Sequence, residues 1–340
     1  MRLVVRLMIA GVALATGGLT AGCSSAVVPD AQGATNPAVI SPPGRTVTAT
    51  VPAAAATKTA AAATKTASAP AGPVLDIVGG PRGIKAKEGI LVDATTGQVL
   101  WSKDATVPRP IASITKVMTA LVILQSGGLN QEITVPKAVV NYVAKYGAEA
   151  AGLIPGQRFT TVELLHVMLV MSAADAAYTL ANAYGPGLPA FIAKMNAEAV
   201  KLGLTGTRFT SPDGLPYPTG FSTYSTPADL VTMGEAAMQN PVFRSIVDLK
   251  YYNLPKGDGH NAVSATSDDT LLGRYAGLVG IKTGYTDAAG HTLLFEAVRN
   301  GRTLIGAVLG SPSTTPFTAA QDATKVLNWG FALTLAPVAP

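Results

Sequence analysis

The sequence predicts an α+β fold in which one antiparallel sheet takes its strands from both ends of the folded region. Two pairs of short β-rich runs support this prediction: residues 89–93 and 98–101 flank a Thr-Gly turn, and residues 291–299 and 302–309 flank an Asn-Gly turn. Runs of this kind around such turns are typical of β-hairpins. The residues between the two hairpins show helical apolar spacing instead. We therefore expect helices to cover the sheet and to form an all-helical lobe beside it, with the active site between the two lobes.

Five helices are predicted from apolar spacing, supported at several ends by start or stop signals. They span residues 111–124, 161–171, 189–202, 227–238 and 316–331. Thr160 and Glu163 form a capping box ahead of the second helix, and Gly203 is placed to cap the end of the third. Thr226-Pro227 opens the fourth, because proline is favoured at the first helical position. The last helix is amphipathic and closes the fold.

Composition argues against several classes of function. Charged residues make up 13% of the 340 residues, against about 25% in typical soluble domains. The net charge is +5, but Lys and Arg are scattered without a basic run, so no nucleic-acid partner is expected. Cys23 is the only cysteine and the three histidines lie far apart, so a disulfide within the chain and a cysteine metal cluster are both excluded. No metal or organic cofactor is implied.

The N-terminus has the pattern of an export signal. Arg2 and Arg6 precede the apolar run 7–14, and small residues follow it up to Cys23, as in a secretory signal peptide. Residues 20–23, Thr-Ala-Gly-Cys, resemble a bacterial lipobox with Thr in place of the usual aliphatic first residue. We therefore predict a signal peptide at 1–22, lipidation of Cys23 and a lipoprotein anchored to the cell membrane and facing the cell wall. Ordinary cleavage nearby, with Cys23 incidental, is the alternative.

A long segment between this signal and the folded region has a different composition. Residues 23–75 are rich in Ala, Thr and Pro, without aromatic residues. Such a segment buries too little apolar area to offset its ordering entropy, so we predict a disordered linker. About fifty flexible residues would span on the order of 40 Å. That reach suits a domain, predicted at 76–335, that works in the cell wall while tethered to the membrane.

Ser113 and Lys116 form the first candidate catalytic pair. Their i, i+3 spacing at the start of the first predicted helix places both side chains on one face. The surrounding residues are apolar, so the Lys116 ammonium is expected to be desolvated, which lowers its pKa and lets it act as a base. A serine hydroxyl needs such a base to become nucleophilic. The backbone N–H of Ser113 at the helix start is also free to donate to an oxyanion.

Two further groups of residues follow in order along the chain. Ser172-Ala173-Ala174-Asp175 comes directly after the second predicted helix, and Lys282-Thr283-Gly284 follows an apolar run just before the terminal hairpin. The Lys282-Thr283-Gly284 group is therefore placed on an edge strand that lines the cleft. Its Lys and Thr can hold a carboxylate, and Gly284 allows a substrate to approach the backbone closely.

Together these groups resemble the triple signature Ser-x-x-Lys, Ser-x-Asn and Lys-Thr-Gly of the β-lactam-recognising enzymes. The chain resembles the penicillin-binding serine D-alanyl-D-alanine carboxypeptidases over roughly residues 76–332. The blocks that carry the likeness are 112–120, 169–177, 213–215, 225–230 and 280–290. The resemblance implies a β-lactamase/transpeptidase-like fold and an enzyme that trims the terminal D-Ala of peptidoglycan stem peptides. It also implies that β-lactams are covalent inhibitors.

The resemblance implies a role for each matching residue. Ser113 is acylated, Lys116 takes its proton, and Ser172 relays protons toward the leaving group. The substrate-binding residues are Lys282 and Thr283, which hold the terminal carboxylate, with Gly284 and Tyr285 beside them. The backbone N–H groups of Ser113 and Tyr285 form the oxyanion hole.

Ala174 departs from the family pattern, because the second motif normally ends in Asn. That Asn bonds the substrate's backbone and helps to position the lysine of the first motif. Losing one such bond costs about 1–3 kcal/mol, which lowers the rate roughly tenfold to a hundredfold. We expect reduced activity, with Asp175 or a water in partial compensation. The alternatives are a β-lactamase, which the absence of a Glu-bearing deacylation loop disfavours, and a catalytically weak protein that binds cell-wall peptides.

Overall fold

The computed structural model describes residues 79–315 and 317–333. The predicted signal peptide, Cys23 and the linker up to residue 75 lie outside the described residues. The strands, in chain order, are β1 (Glu88–Asp93), β2 (Gln98–Lys103), β3 (Arg109–Pro110), β4 (Glu132–Thr134), β5 (Arg158–Thr160), β6 (Tyr224–Ser225), β7 (Tyr251–Leu254), β8 (Val263–Thr266), β9 (Leu278–Thr286), β10 (Gly290–Arg299) and β11 (Arg302–Ser311). The helices are α1 (Thr115–Ser126), α2 (Ala138–Tyr146), α3 (Thr161–Val170), α4 (Ala174–Tyr184), α5 (Leu188–Lys201), α6 (Pro227–Met238), α7 (Pro241–Val247) and α8 (Thr318–Ala332).

A five-stranded antiparallel sheet in the order β2-β1-β11-β10-β9 confirms that both ends of the folded region contribute strands. β1 pairs directly with β11, so the two predicted hairpins join edge to edge. The β10–β11 turn has positive φ at both Asn300 and Gly301, as a two-residue hairpin of type I′ requires. β9 lies at one edge of the sheet, as predicted for the strand that contains Lys282.

Both faces of the sheet are covered. Along β1, Ile90 and Val92 belong to a core shared with α1 and α3 to α7, whereas Leu91 packs into a second core with Val326 and Leu327 of α8. Side chains that alternate between two buried faces follow from the period of two of a β-strand. The all-helical lobe and the closing helix therefore lie on opposite sides of the sheet, in agreement with the predicted α+β fold.

Most predicted helix ends are confirmed by their caps. Thr160 accepts the backbone N–H of Glu163 while the Glu163 carboxylate accepts that of Thr160, which completes the capping box of α3. Thr226 caps α6 ahead of Pro227, and Gly203 has positive φ just beyond α5. The predicted start of the last helix at residue 316 lies outside the described residues. The structure adds α2, α4, α7 and three two-stranded ladders that the sequence did not predict.

The first helix begins later than predicted. A short 3₁₀ turn, Ala112–Ile114, precedes α1 because Ala112 has a φ of 47°, which an α-helix cannot include. Every residue of α1 from Thr115 to Ile123 is buried, so this helix is surrounded by protein on all sides. No helix in the described ranges is long and apolar enough to cross a bilayer.

Candidate active site

Ser113 lies in the 3₁₀ turn at the entrance to α1, between the buried residues Ala112 and Ile114. The left-handed backbone of Ala112 is held by the Thr115 hydroxyl, which donates to the Ala112 carbonyl at 2.8 Å. This conformation turns the chain so that the half-buried Ser113 side chain lines the cleft. A strained φ at this position is of the kind that clusters at functional sites.

Lys116 is buried and contacts the serine directly. Its side chain is 2% exposed, and Nζ donates to Ser113 Oγ at 2.8 Å and to the Asp213 carbonyl at 3.1 Å. Burial lowers the pKa of Lys116 to about 8. The charge of Asp213 opposes this shift, and the charge of Lys282 adds to it. Roughly a tenth of Lys116 is therefore neutral at pH 7, far more than for an exposed lysine.

Asp213 anchors the lysine from behind. The Tyr142 hydroxyl donates to Asp213 Oδ2 at 2.8 Å, and the Leu215 N–H donates to Oδ1 at 3.1 Å. Asp213 is 1% exposed, so its carboxylate is held by these two donors in the protein interior. The backbone carbonyl of Asp213 accepts from Lys116 Nζ. The position of the lysine is therefore fixed by Asp213, which Tyr142 holds in turn.

Ser172 lies between α3 and α4 with a φ of 63°. Its side chain is buried and lines the cleft beside Ser113. Ala174 starts α4, and its methyl group lines the cleft where the family pattern has an amide. Asp175 does not replace that amide, because it accepts the backbone N–H groups of Ala151 and Leu153 at 3.1 and 2.9 Å. The expected compensation by Asp175 is therefore wrong, since this carboxylate holds a neighbouring loop instead.

The edge strand β9 forms the opposite wall. Lys282 is 3% exposed and donates to Thr283 Oγ1 at 3.3 Å, and burial lowers its pKa. Lys282 therefore lies behind Thr283, whose side chain lines the cavity. A Cβ on Gly284 would lie 3.0 Å from Ser113 N and 2.9 Å from the Ile111 carbonyl. Only glycine lets the strand lie this close to the turn that contains Ser113.

Tyr285 follows Gly284 at the mouth of the cleft. Its side chain is exposed, its hydroxyl donates to Asp287 at 3.0 Å, and its ring lies 4.5 Å from that of His291. Since β9 is an edge strand, its outward backbone N–H groups have no partner strand among the described residues. His291, to which the sequence assigned no role, also lines the cavity.

Two adjoining cavities of about 540 and 320 Å³ meet at Ser113. The larger contains Thr283, Gly284 and Tyr285, and the smaller contains Lys116 and Ala174. Ser113 and Ser172 line both. The structure thus brings together the residues predicted for the three motifs, while Cys23 lies outside the described residues.

Sequence reasoning gave no role to several polar side chains in or behind the cleft. Glu149, Asp268, Asp269 and His291 line the larger cavity, and Tyr142 lies behind it, hydrogen-bonded to Asp213. All but His291 and Tyr142 lie in loops, where no periodic pattern indicates which way a side chain points. Asp213 was noticed as part of a family block but was given no role.

The chain is similar to known proteins over the same region. A family model described as D-alanyl-D-alanine carboxypeptidase matches residues 76–313. A D-alanyl-D-alanine carboxypeptidase of a Streptomyces species is 38% identical over 262 residues, covering 74% of this chain and 88% of that protein. One of Mycobacterium tuberculosis is 41% identical over 272 residues, covering 78% and 87%. The crystal structure of a Streptomyces DD-transpeptidase superposes with a TM-score of 0.70 at 37% identity, covering 75% of this chain and all of that one. The chain belongs to the D-alanyl-D-alanine carboxypeptidase family of serine peptidases.

Proposed function

We propose that this chain removes the terminal D-Ala of peptidoglycan stem pentapeptides through an acyl-enzyme on Ser113. The observation that supports this most strongly is the 2.8 Å contact between Ser113 Oγ and the buried Lys116 Nζ. A desolvated amine beside a hydroxyl is the arrangement that a serine nucleophile needs. Membership of the carboxypeptidase family supplies the substrate class.

In the acylation step, neutral Lys116 takes the proton of Ser113 Oγ as that oxygen bonds the carbonyl carbon of the penultimate D-Ala. The peptide C–N bond then breaks, and the departing amine nitrogen takes a proton through Ser172. Water attacks the resulting ester, which releases the shortened peptide as a carboxylate and restores the Ser113 hydroxyl. Each proton that leaves one group is accepted by another, so no cofactor is needed.

The edge strand would hold and polarise the substrate. Lys282 and the Thr283 hydroxyl would bind the terminal carboxylate, because a buried ammonium strengthens the Thr283 hydroxyl as a donor. The backbone N–H groups of Ser113 and Tyr285 would bind the developing oxyanion. This is supported by the close packing of Gly284 on Ser113 N.

Ala174 is expected to slow the reaction without abolishing it. The substrate backbone loses one amide partner, and Asp175 is engaged elsewhere. The lysine itself keeps its position through Asp213, which does not depend on residue 174. The rate should therefore fall by roughly tenfold to a hundredfold relative to an Asn-bearing site.

We also propose that the protein is exported and that lipidation of Cys23 anchors it to the membrane. The charged start, the short apolar run and the position of the single cysteine support this. Incorporation of labelled fatty acid into the full-length protein, but not into a Cys23→Ser variant, would establish the anchor. Equal labelling of both proteins would contradict it.

Release of D-Ala from diacetyl-L-Lys-D-Ala-D-Ala tests the proposed activity. The wild-type protein should release D-Ala, and a Ser113→Ala variant should not. Absence of release by folded wild-type protein would favour the alternative of a wall-binding protein, which neither the buried Ser113–Lys116 pair nor the family membership favours at present.

A further inference from the structure

A third cavity, of about 450 Å³, adjoins the catalytic cleft, and no step of the proposed reaction takes place in it. Four tyrosines line it: Tyr142 and Tyr146 of α2, Tyr178 of α4 and Tyr217 of the loop after α5. We call this cavity the tyrosine pocket. Sites for small molecules typically have volumes of roughly 300–1,000 Å³ and an aromatic lining. The tyrosine pocket is therefore large enough to hold part of a bound peptide.

The tyrosine rings hold one another in place. The ring of Tyr142 packs edge-on against that of Tyr146, with their centres 5.2 Å apart, and its centre lies 4.7 Å from that of Tyr178. Tyr146 packs edge-on against Tyr217 in the same way, at 5.6 Å. Such contacts between aromatic rings are favourable. The Tyr142 hydroxyl also donates to Asp213, so the wall of the tyrosine pocket is fixed to the catalytic site and formed before a ligand binds.

Lys145 carries the only charge among the residues that line the tyrosine pocket. Its Nζ lies 5.1 Å from the centre of the Tyr146 ring and 5.0 Å from that of the Tyr217 ring. Cation–π contacts at these distances hold the ammonium over the two rings. Within the described residues, no carboxylate oxygen lies within 4.0 Å of Lys145. The pocket thus combines apolar ring surface with one cation, which suits a carboxylate on an aliphatic stem.

The proposed course of the substrate along β9 leads toward this pocket. With the terminal carboxylate at Thr283 and the oxyanion at the backbone N–H of Tyr285, the substrate runs antiparallel to β9. The residues before the scissile bond, which we call the acyl segment, therefore continue toward Thr286 and Asp287, which line the smaller catalytic cavity. Tyr146 lines both that cavity and the tyrosine pocket. An acyl segment that leaves the smaller cavity past this ring enters the tyrosine pocket.

We propose that the tyrosine pocket, with Lys145, is a subsite for a free carboxylate on the acyl segment of the stem peptide. This inference rests on the proposed function and specifies its substrate further: the acyl segment is recognised in its acidic form rather than as the corresponding amide. In the peptide L-Ala-γ-D-Glu-L-Lys-D-Ala-D-Ala, the α-carboxylate of the γ-linked D-Glu is the one free carboxylate before the scissile bond. The bond that breaks and the route of the protons are unchanged, because the pocket contributes binding only.

Two peptides that differ in one group test this proposal. One is N-acetyl-L-Ala-γ-D-Glu-L-Lys-D-Ala-D-Ala, and the other is its isoglutamine analogue, in which the α-carboxylate is an amide. At low salt, kcat/KM for D-Ala release should be roughly three- to fivefold higher for the acid, as expected for an ion pair with an exposed lysine. This ratio should fall as salt is added. Equal values at low salt, or a preference for the amide, would overturn the proposal.

Variants of Lys145 separate a local contact from the general positive charge of the chain. Lys145→Met keeps the aliphatic stem but should bring the acid-to-amide ratio to about one, and Lys145→Glu should bring it below one. Lys250→Met is the matched control and should keep the wild-type ratio. Lys250 is also exposed and lies over a tyrosine ring, that of Tyr251 at 5.5 Å, but it lines none of the three cavities. A wild-type ratio in Lys145→Met, or an equal fall in Lys250→Met, would overturn the proposal.

Two further measurements keep a failure of this inference apart from a failure of the proposed function. Diacetyl-L-Lys-D-Ala-D-Ala has no carboxylate before the scissile bond, so Lys145→Met should release D-Ala from it at the wild-type rate; a slower release would mean that Lys145 acts on the reaction itself and would overturn the subsite. Calorimetry with a Ser113→Ala variant should show that the acid binds roughly three- to fivefold more tightly than the amide without turnover. Equal affinities refute the subsite whether or not the wild-type protein releases D-Ala, whereas penicillin acylation of Ser113 reports on the proposed function alone.

Discussion

The most informative perturbation is pH, because the mechanism requires Lys116 in its neutral form. Burial lowers the pKa of this lysine to about 8, so its neutral fraction rises with pH through that value. From pH 7 to 9 this fraction increases about tenfold, and then it levels off. The rate of Ser113 acylation by penicillin, followed by intact mass, should rise by the same factor with a midpoint near pH 8.

Two variants should move that midpoint in opposite directions. The charge of Asp213 raises the pKa of Lys116 and that of Lys282 lowers it, so Asp213→Asn should shift the profile to lower pH and Lys282→Met to higher pH. Asp213→Asn keeps the backbone carbonyl that accepts from Lys116. Only the midpoint is compared, because Lys282→Met also weakens carboxylate binding.

A profile that still rises steadily above pH 9 would refute this reasoning. It would mean that Lys116 keeps the pKa of about 10.4 of an exposed lysine, and thus that its burial does not prepare it to act as a base. A rate independent of pH between 7 and 9 would equally show that Lys116 does not take the proton.

Three further substitutions test separate parts of the account. Ala174→Asn should raise kcat/KM for D-Ala release at least about tenfold by restoring one substrate contact; an unchanged value would contradict the role assigned to this position. Gly284→Ala should slow acylation at least about tenfold, because the new Cβ would lie 3.0 Å from Ser113 N, and normal acylation would contradict the close-packing argument. Asp322→Ala should lower the free energy of unfolding, measured in urea, by about 3 kcal/mol, since Asp322 accepts two backbone N–H groups and the Ser311 hydroxyl. A loss below about 1 kcal/mol would contradict the stabilising role of these hydrogen bonds.

Local patterns of the sequence were sufficient to predict the five-stranded sheet and five of the eight described helices. The Asn300-Gly301 turn and the capping box at Thr160 and Glu163 are determined by residues close together in the chain, and both were predicted correctly. The three motifs were also found, because each contains its chemistry within four residues. The resemblance to a family then implied their assembly into one site.

The remaining features depend on contacts between distant parts of the chain. The close approach of Gly284 on β9 to the turn that contains Ser113 is one of them, and no local pattern reveals it. The sequence predicts that Asp175 or a water compensates for the missing amide, but the Asp175 carboxylate binds the loop at Ala151 and Leu153, 22 to 24 residues away. The acids that line the larger cavity, Glu149, Asp268 and Asp269, come from two loops more than one hundred residues apart. Such arrangements become visible only in three dimensions.

The central claim is that Ser113 is a nucleophile activated by Lys116, and covalent labelling tests it most directly. The purified folded region is incubated with penicillin, its intact mass is measured, and the adduct is mapped by digestion, with Ser113→Ala as the control. The account predicts a single adduct on Ser113 that is absent from the control. Absence of an adduct on folded wild-type protein, or an adduct that persists in the Ser113→Ala variant, would contradict it.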